Sequence, residues 1–376
     1  MTTKISGEIK KYVYQTQKHL HSIPEPAFQE TKTAAFIASE LEKMGYTVMK
    51  GLAGTGVTAY IEGKQKHPCI AIRADMDCII HEHEKTIVYR HSCGHDAHSS
   101  IALGVAKQVI EHSSNLNGSI KFIFQPAEEI GQGAKAMTEA GSLDHVDYLI
   151  GYHLRMNSEC PFGKMAPALL HSAASIITGE IEGKTAHGGR PHLGINAIDV
   201  LTSLLTSINT IRSNPLTATN VKFTKIAAGG GSLNVIPDKG TFAMDIRSGS
   251  NDELKMTIEK IKRTLDFTAE QYEAKIRYQI SEGVPAPQYD ENLVSVASEA
   301  IKKVLGTENV VDPIFTPGGE DFHYYTKLTD IKAVYLAIGA DVSPGLHDPT
   351  MTFNKEAMVN GIAVITEMIT SLLGDD

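Results

Sequence analysis

Residues 119–129 read SIKFIFQPAEE. A short run of β-branched and aromatic residues breaks at a proline and is followed at once by two adjacent carboxylates, Glu128 and Glu129. A run of that length and composition, bounded by a breaker, reads as a buried strand. The design recurs upstream in CIAIRADMD at 69–77, an apolar strand ending on Asp75 and Asp77, and downstream in DYLIGYH at 147–153, which ends on His153. Another strand is predicted over 56–61. Ala34, Ala35, Ile37, Ala38, Leu41 and Met44 fall at helical spacing before Gly45, which predicts a helix over 30–44. Further helices are predicted over 98–111 and 134–140. Strands alternating with helices predict an α/β fold, a sheet wrapped by helices.

After Pro167 the order changes to strand 175–182, helix 196–211, strands 219–227 and 234–246, helix 252–267 and strand 275–280. This β-α-β-β-α-β order is that of a ferredoxin-like α+β sandwich. A helix over 291–304, a strand over 333–338 and a helix over 355–373 then resume the first pattern. The simplest organisation is a discontinuous domain, 1–172 and 284–376, with a smaller domain inserted at 173–283 and a linker marked by Pro285 and Pro287.

The 376 residues suffice for two or three domains, and 42% apolar with 21% charged residues is an ordinary globular composition that excludes wholesale disorder. Asp and Glu outnumber Lys and Arg, 44 to 35, for a net charge of −9. With no basic cluster, nucleic acid is not an expected partner. No run of about 18 uncharged apolar residues predicts a membrane span. The N-terminal stretch lacks the continuous apolar core of a secretory signal, and four cysteines are too sparse for a disulfide framework, so reduced thiols and a cytoplasmic location are expected.

Ligands of open α/β sheets gather outside the carboxyl ends of the strands, so RADMD, QPAEE and GYH should face one crevice together with the turn HSCGHDAHSS at 91–100. His91, Cys93, His95 and His98 are dense enough in that turn to converge on a metal; the competing reading is a polar helix start. Paired glutamates have a specific use: one carboxylate binds a cation while its neighbour takes a proton from water. His347 lies in a predicted turn, SPGLHDPT, at 343–350, whereas His81 and His83 in the charged run HEHEK read as a solvated loop.

Taken together, RADMD, HSCGHDAH, QPAEE, GYH, GKTAHGGRPH, NVIPD, PGGEDF and PGLHD resemble, in order and spacing, the di-metal amidohydrolases of the metallopeptidase class, which include indole-acetyl-amino-acid, hippurate and N-acetyl-diaminopimelate hydrolases. The resemblance spans nearly the whole chain. It implies a zinc-exopeptidase-like catalytic domain with an inserted ferredoxin-like lid that dimerises. It also implies two divalent metal ions per subunit, zinc first, with manganese, cobalt or nickel as alternatives. Carried over residue by residue, Cys93, His95, Glu129, His153 and His347 become metal ligands, with Glu129 or Cys93 between the ions. Glu128 becomes the general base, Asp77 the residue that orients a ligand, and His187 an oxyanion donor reaching the other subunit's site. Asn234 and Arg247 resemble residues that meet the oxyanion or carboxylate of the substrate. The implied activity is deacylation of N-acyl amino acids; the alternatives are cleavage of small peptides, or a silent binding protein that keeps the fold. The chain departs from the family pattern after Asp77, where DCIIHEHEK replaces a Leu-Pro pair and the loop to Arg90 is shortened.

Overall fold

A computed structural model of the chain describes residues 4–83 and 86–374. They form two compact units, one built from the residues up to Leu170 together with Gln288–Phe315 and those from Glu320 on, the other from His171–Pro287 and Thr316–Gly319. Residues 171–172, 284–287 and 316–319, expected in the first unit, cluster with the second. The backbone explains this: Ala174 N–H donates to the Val284 carbonyl at 2.8 Å, and Ser172 N–H to that of Gly318 at 3.0 Å.

The first unit is built on a seven-stranded mixed sheet in the order Thr47–Leu52, Gly56–Glu62, Ser119–Gln125, Cys69–Asp75, Tyr148–Met156, Lys332–Val342, Met165–Ala166. The four strands from Ser119–Gln125 to Lys332–Val342 run parallel, and the outer pairings are antiparallel. Strands buried on both faces need apolar residues at successive positions, which is why CIAI and FIF are continuous runs. Alternate residues (Ile70, Ile72, Ile120, Phe122, Ile150, Leu336) join one core with the helices Gly7–His21, Thr31–Met44, His95–Ile110, Glu291–Leu305 and Glu356–Leu373. On the opposite face Phe322 packs against Tyr335, with ring centroids 4.8 Å apart and planes inclined at 58°.

Helix Gly7–His21 was not expected from the sequence, because its buried stripe mixes Ile9, Val13 and Leu20 with Thr16 and Gln17. Helix Glu356–Leu373 is long and apolar enough to cross a membrane by length and composition, but its two glutamates leave it short of the uncharged apolar run of about 18 residues that a span requires. It instead buries Met358, Ile362, Val364, Ile365, Met368 and Ile369 in the core and carries Glu356 and Glu367. His81 and His83, expected in a solvated loop, instead lie in a strand, Ile79–His83, that pairs antiparallel with Thr86–Arg90; Glu84 and Lys85 lie outside the described residues.

The second unit holds a four-stranded antiparallel sheet in the order Thr219–Ala228, Lys239–Ser248, Ala173–Glu182, Lys275–Glu282, with helices Ala197–Asn209 and Asn251–Gln271 sharing its core. This is the ferredoxin-like arrangement. The strand expected over 234–246 is broken, since Pro237 has no N–H to donate. Val235–Ile236 leaves the sheet to pair with Ala186–His187, and the main strand restarts at Lys239.

Candidate metal centre

Each strand end of the first unit delivers its residues through a distinct local device. Past Gln125 the chain turns at Ala127, a non-glycine residue at φ 56°, a backbone state that costs roughly 1–2 kcal/mol. The buried Glu30 carboxylate holds it there, accepting the Ala127 N–H at 2.9 Å and the Thr55 hydroxyl at 2.6 Å. Gly94, at φ 92°, makes the turn that places Cys93 and His95 on either side of the start of helix His95–Ile110.

Asp77 spans two of these segments. One of its carboxylate oxygens lies 3.1 Å from His95 Nδ1, and the other accepts the Glu129 N–H at 3.0 Å. With Nδ1 donating to Asp77, the lone pair of His95 is left on Nε2. His153 is fixed in the same sense, its Nδ1 donating to the Leu154 carbonyl at 2.6 Å while Nε2 faces Cys93 Sγ at 3.4 Å. His95 Nε2 lies 3.6 Å from Glu129 Oε1, and His347 Nε2 lies 3.5 Å from Glu129 Oε2. Cys93, His95 and His153 form one cluster of potential ligands, and Cys93, Glu129 and His347 another.

These residues fit divalent cations on three counts. Two donors bound to one tetrahedral ion at ~2.0–2.3 Å stand about 3.4–3.7 Å apart, which is the spacing found here. His95 Nε2 and Glu129 Oε1 are buried without a hydrogen-bond partner. The electrostatics also call for positive charge. Burial, followed by the charges of Glu320, Glu129 and Asp321, holds the Glu128 carboxyl well above the usual carboxylate range. Burial also pushes Glu129 up to about 7 against the pull of His95, and it raises the Cys93 thiol with help from Glu129. His153, by contrast, is kept neutral by burial and then by His98 and Arg155.

The model of Peptidase family M20/M25/M40 matches residues 71–371. The chain belongs to that family. Among its relatives, an N-acetyl-L-cysteine deacetylase of Bacillus subtilis (strain 168) is 31% identical over 375 residues, covering 97% of this chain and 89% of that protein. An IAA-amino acid hydrolase of Arabidopsis thaliana is 30% identical over 388 residues, covering 98% and 87%. A solved Bacillus subtilis structure, described as a dinuclear metal binding peptidase from the M20 family, matches with a TM-score of 0.84 at 28% identity, covering 98% of this chain and 99% of that one. Membership of the M20/M25/M40 family makes the chain a hydrolase of amide bonds.

Of the sequence candidates, Cys93, His95, Glu128, Glu129, His153, His347 and Asp77 meet in the first unit of this M20/M25/M40 fold. His98 does not join them: its Nδ1 bonds Asp75 at 2.8 Å and its Nε2 accepts the Leu154 N–H at 3.1 Å. His91 is buried with both ring nitrogens unpartnered, near His21. His187, Asn234 and Arg247 belong to the second unit. There His187 pairs with Val235 in the two-stranded ribbon, and Arg247 Nε bonds Asp245 at 3.1 Å.

A buried network behind Glu128 escaped the sequence reading. Arg73, fully buried, bonds Gln125 at 2.8 Å, Asp75 at 2.6 Å, and Glu320 and Asp321 at 3.1 Å each. Tyr335 donates to Glu320 at 2.6 Å, and Gln125 to Asp321 at 2.8 Å. One guanidinium faces three carboxylates, and burial, with Glu320 adding to it, pushes Asp321 up to about 8 against the pull of Arg73. The sequence signal was an arginine inside an otherwise apolar strand and an acidic pair in PGGEDF. Glu30 gave no such signal, reading as an ordinary charge at a helix start.

Proposed function

We propose that this M20/M25/M40 chain cleaves the amide bond of N-acyl amino acids, releasing a carboxylate and a free amino group. The observation that carries the reading is the meeting of five potential ligands with an adjacent carboxyl, Glu128, that burial holds well above the usual carboxylate range. We assign Cys93, His95, Glu129, His153 and His347 to two divalent cations: zinc first, because one donor is a thiolate, with manganese, cobalt or nickel according to availability. The substrate class is supported by the relatives, one named as an N-acetyl-L-cysteine deacetylase and another as an IAA-amino acid hydrolase.

Cations held by these residues supply the positive charge that polarises an amide carbonyl and lowers the pKa of water toward neutrality. Glu128 takes the proton of the attacking water, holds it among Glu320, Glu129 and Asp321, and passes it to the leaving nitrogen. Asp77 keeps His95 in the tautomer that leaves Nε2 unprotonated. In the second unit the Gly189 N–H donates to His187 Nδ1 at 3.0 Å, so the ring proton sits on Nε2, ready to be donated to a developing oxyanion. We assign Asn234, whose carbonyl accepts the Gly188 N–H at 2.7 Å in the same ribbon, to that oxyanion as well, and Arg247 to the substrate carboxylate.

We further propose a cytoplasmic homodimer joined through residues 173–283, a reading supported by the exposed edge strand Thr219–Ala228. Its substrate is a small molecule, and neither nucleic acid nor membrane is a partner. The test is a screen of N-acyl amino acids and dipeptides with protein reconstituted with zinc or manganese, reading free amine. Chelator-sensitive release from N-acyl amino acids is expected. Cleavage confined to dipeptides, or no metal-dependent release at all, overturns the reading.

A further inference from the structure

Four of the five assigned ligands are held by their immediate surroundings. His95 is held by Asp77 and His153 by the Leu154 carbonyl, while Glu129 is anchored through its N–H on Asp77 and Cys93 is buried in the turn before helix His95–Ile110. His347 is different. Its backbone sits at φ 65°, a left-handed state uncommon outside glycine, and its side chain is 55% exposed, so packing does not fix the ring. Among the described residues its Nδ1 has no hydrogen-bond partner. The contact that pins the residue is a backbone one: His347 N–H donates to the Ser92 carbonyl at 2.7 Å.

Ser92 is therefore a junction. It is 2% exposed, directly precedes Cys93, and is tied to the end of the hairpin by its own N–H, which donates to the Arg90 carbonyl at 2.9 Å. Its hydroxyl lies 2.8 Å from His81 Nε2. His81 stands opposite Val88 on the half-buried face of the hairpin, while Ile80, Glu82, Ile87 and Tyr89 occupy the exposed face. A one-residue change of register would turn His81 away from Ser92.

We infer that His81 and Ser92 are positioning residues for one of the two cation positions, the one that depends on His347: the hairpin holds His81, His81 holds the Ser92 hydroxyl, and Ser92 holds the His347 backbone beside Cys93. The inference rests on the two-cation reading above and adds a cause for unequal affinities. The position made by Cys93, His95 and His153 draws on buried, locally anchored donors. The position made by Cys93, Glu129 and His347 inherits its geometry from the hairpin.

The test is chelator-competition titration of the metal-free protein with zinc, resolving two binding constants in wild type, Ser92→Ala, Ser92→Thr, His81→Ala and His81→Gln, with circular dichroism to verify folding. Ser92→Ala and His81→Ala are each expected to weaken the weaker constant by about 10- to 100-fold, the range seen when partners of metal ligands are removed, and to leave the tighter one unchanged. Ser92→Thr keeps the hydroxyl, and His81→Gln keeps a polar atom at the reach of Nε2, so both are expected to restore most of the loss. Because His81 is only half-buried, its variants keep the question open to a negative answer even if Ser92→Ala fails to fold. Unchanged constants in folded His81→Ala, equal losses at both positions, or no recovery in the conservative variants overturns the inference. A wild-type protein that binds fewer than two ions overturns the two-cation reading together with the inference built on it.

Discussion

Asp77→Asn is a sharp probe of the site because the substitution preserves shape and removes only charge and one acceptor. The native carboxylate serves two donors, His95 Nδ1–H at 3.1 Å and Glu129 N–H at 3.0 Å, and is itself fully buried. An asparagine can accept one of them. If its carbonyl faces Glu129, its amino group meets His95 Nδ1, which must then accept. The ring proton moves to Nε2, the atom 3.6 Å from Glu129 Oε1 that is needed as a ligand. If its carbonyl faces His95, the Glu129 N–H is left buried and unpaired, at a cost of about 1–3 kcal/mol, and the His95 bond loses its charge assistance. Either way the loss is about 1.5–3 kcal/mol, which at roughly 1.4 kcal/mol per decade is about 10- to 100-fold in metal affinity. The measurement is competitive chelation against wild type, with urea unfolding of both metal-free proteins to separate lost affinity from lost fold. A folded Asp77→Asn protein that holds metal as tightly as wild type would refute the role given to Asp77.

Three other expectations follow from particular contacts. Glu128→Gln should retain metal by elemental analysis yet lose about 10²- to 10⁴-fold in kcat, the worth of general acid-base help; near-normal turnover of a metal-replete variant would move the proton transfer elsewhere. Arg73→Met strands three buried carboxylates that the guanidinium now serves and should lower stability by about 3–5 kcal/mol in urea unfolding, whereas a loss below about 1 kcal/mol would mean that the carboxylates are neutralised without it. The Asp96 hydrogen bond, over the opposing effect of burial, raises the pKa of His21, so the folded protein binds that proton more tightly than the unfolded chain. The stability gap between wild type and His21→Asn should be full below pH ~6.5 and shrink as the pH rises through the raised pKa; a gap that grows with pH reverses the assignment.

What the sequence made legible was the chemistry of each strand end, since a continuous apolar run followed by acids or a histidine is a local pattern. What it hid were contacts across long stretches of chain. Arg73 bonds Glu320 and Asp321, 247 and 248 residues further along the chain, and Glu30 fixes Ala127 from another helix start. The hairpin at Ile79–His83 was masked because IIHEH does not alternate apolar with polar residues. Both of its faces carry an isoleucine, so only the pairing Ile80↔Tyr89 and His81↔Val88 tells which face is covered. His347 was recognisable as a histidine in a turn, but the backbone hydrogen bond that pins it to Ser92 has no sequence signature.

Register explains why separately legible ends make one centre. In the parallel ladder Asp75 stands opposite Gln125, and Ile72 opposite Ile150, so three residues further along Asp75 and His153 reach the same level of the sheet. Asp77 lies two residues beyond Asp75, and Glu128 and Glu129 lie three and four beyond Gln125, past the turn that Glu30 stabilises at Ala127. At about 3.3 Å per residue, a slip of one position would displace a ligand by about as much as the donor spacing itself, and it would turn His153 to the other face of the sheet. The continuous apolar runs therefore do more than fill the core. By fixing which residue of each strand lies opposite which, they set where Asp77, Glu129 and His153 stand around Cys93 and His95 at the start of helix His95–Ile110.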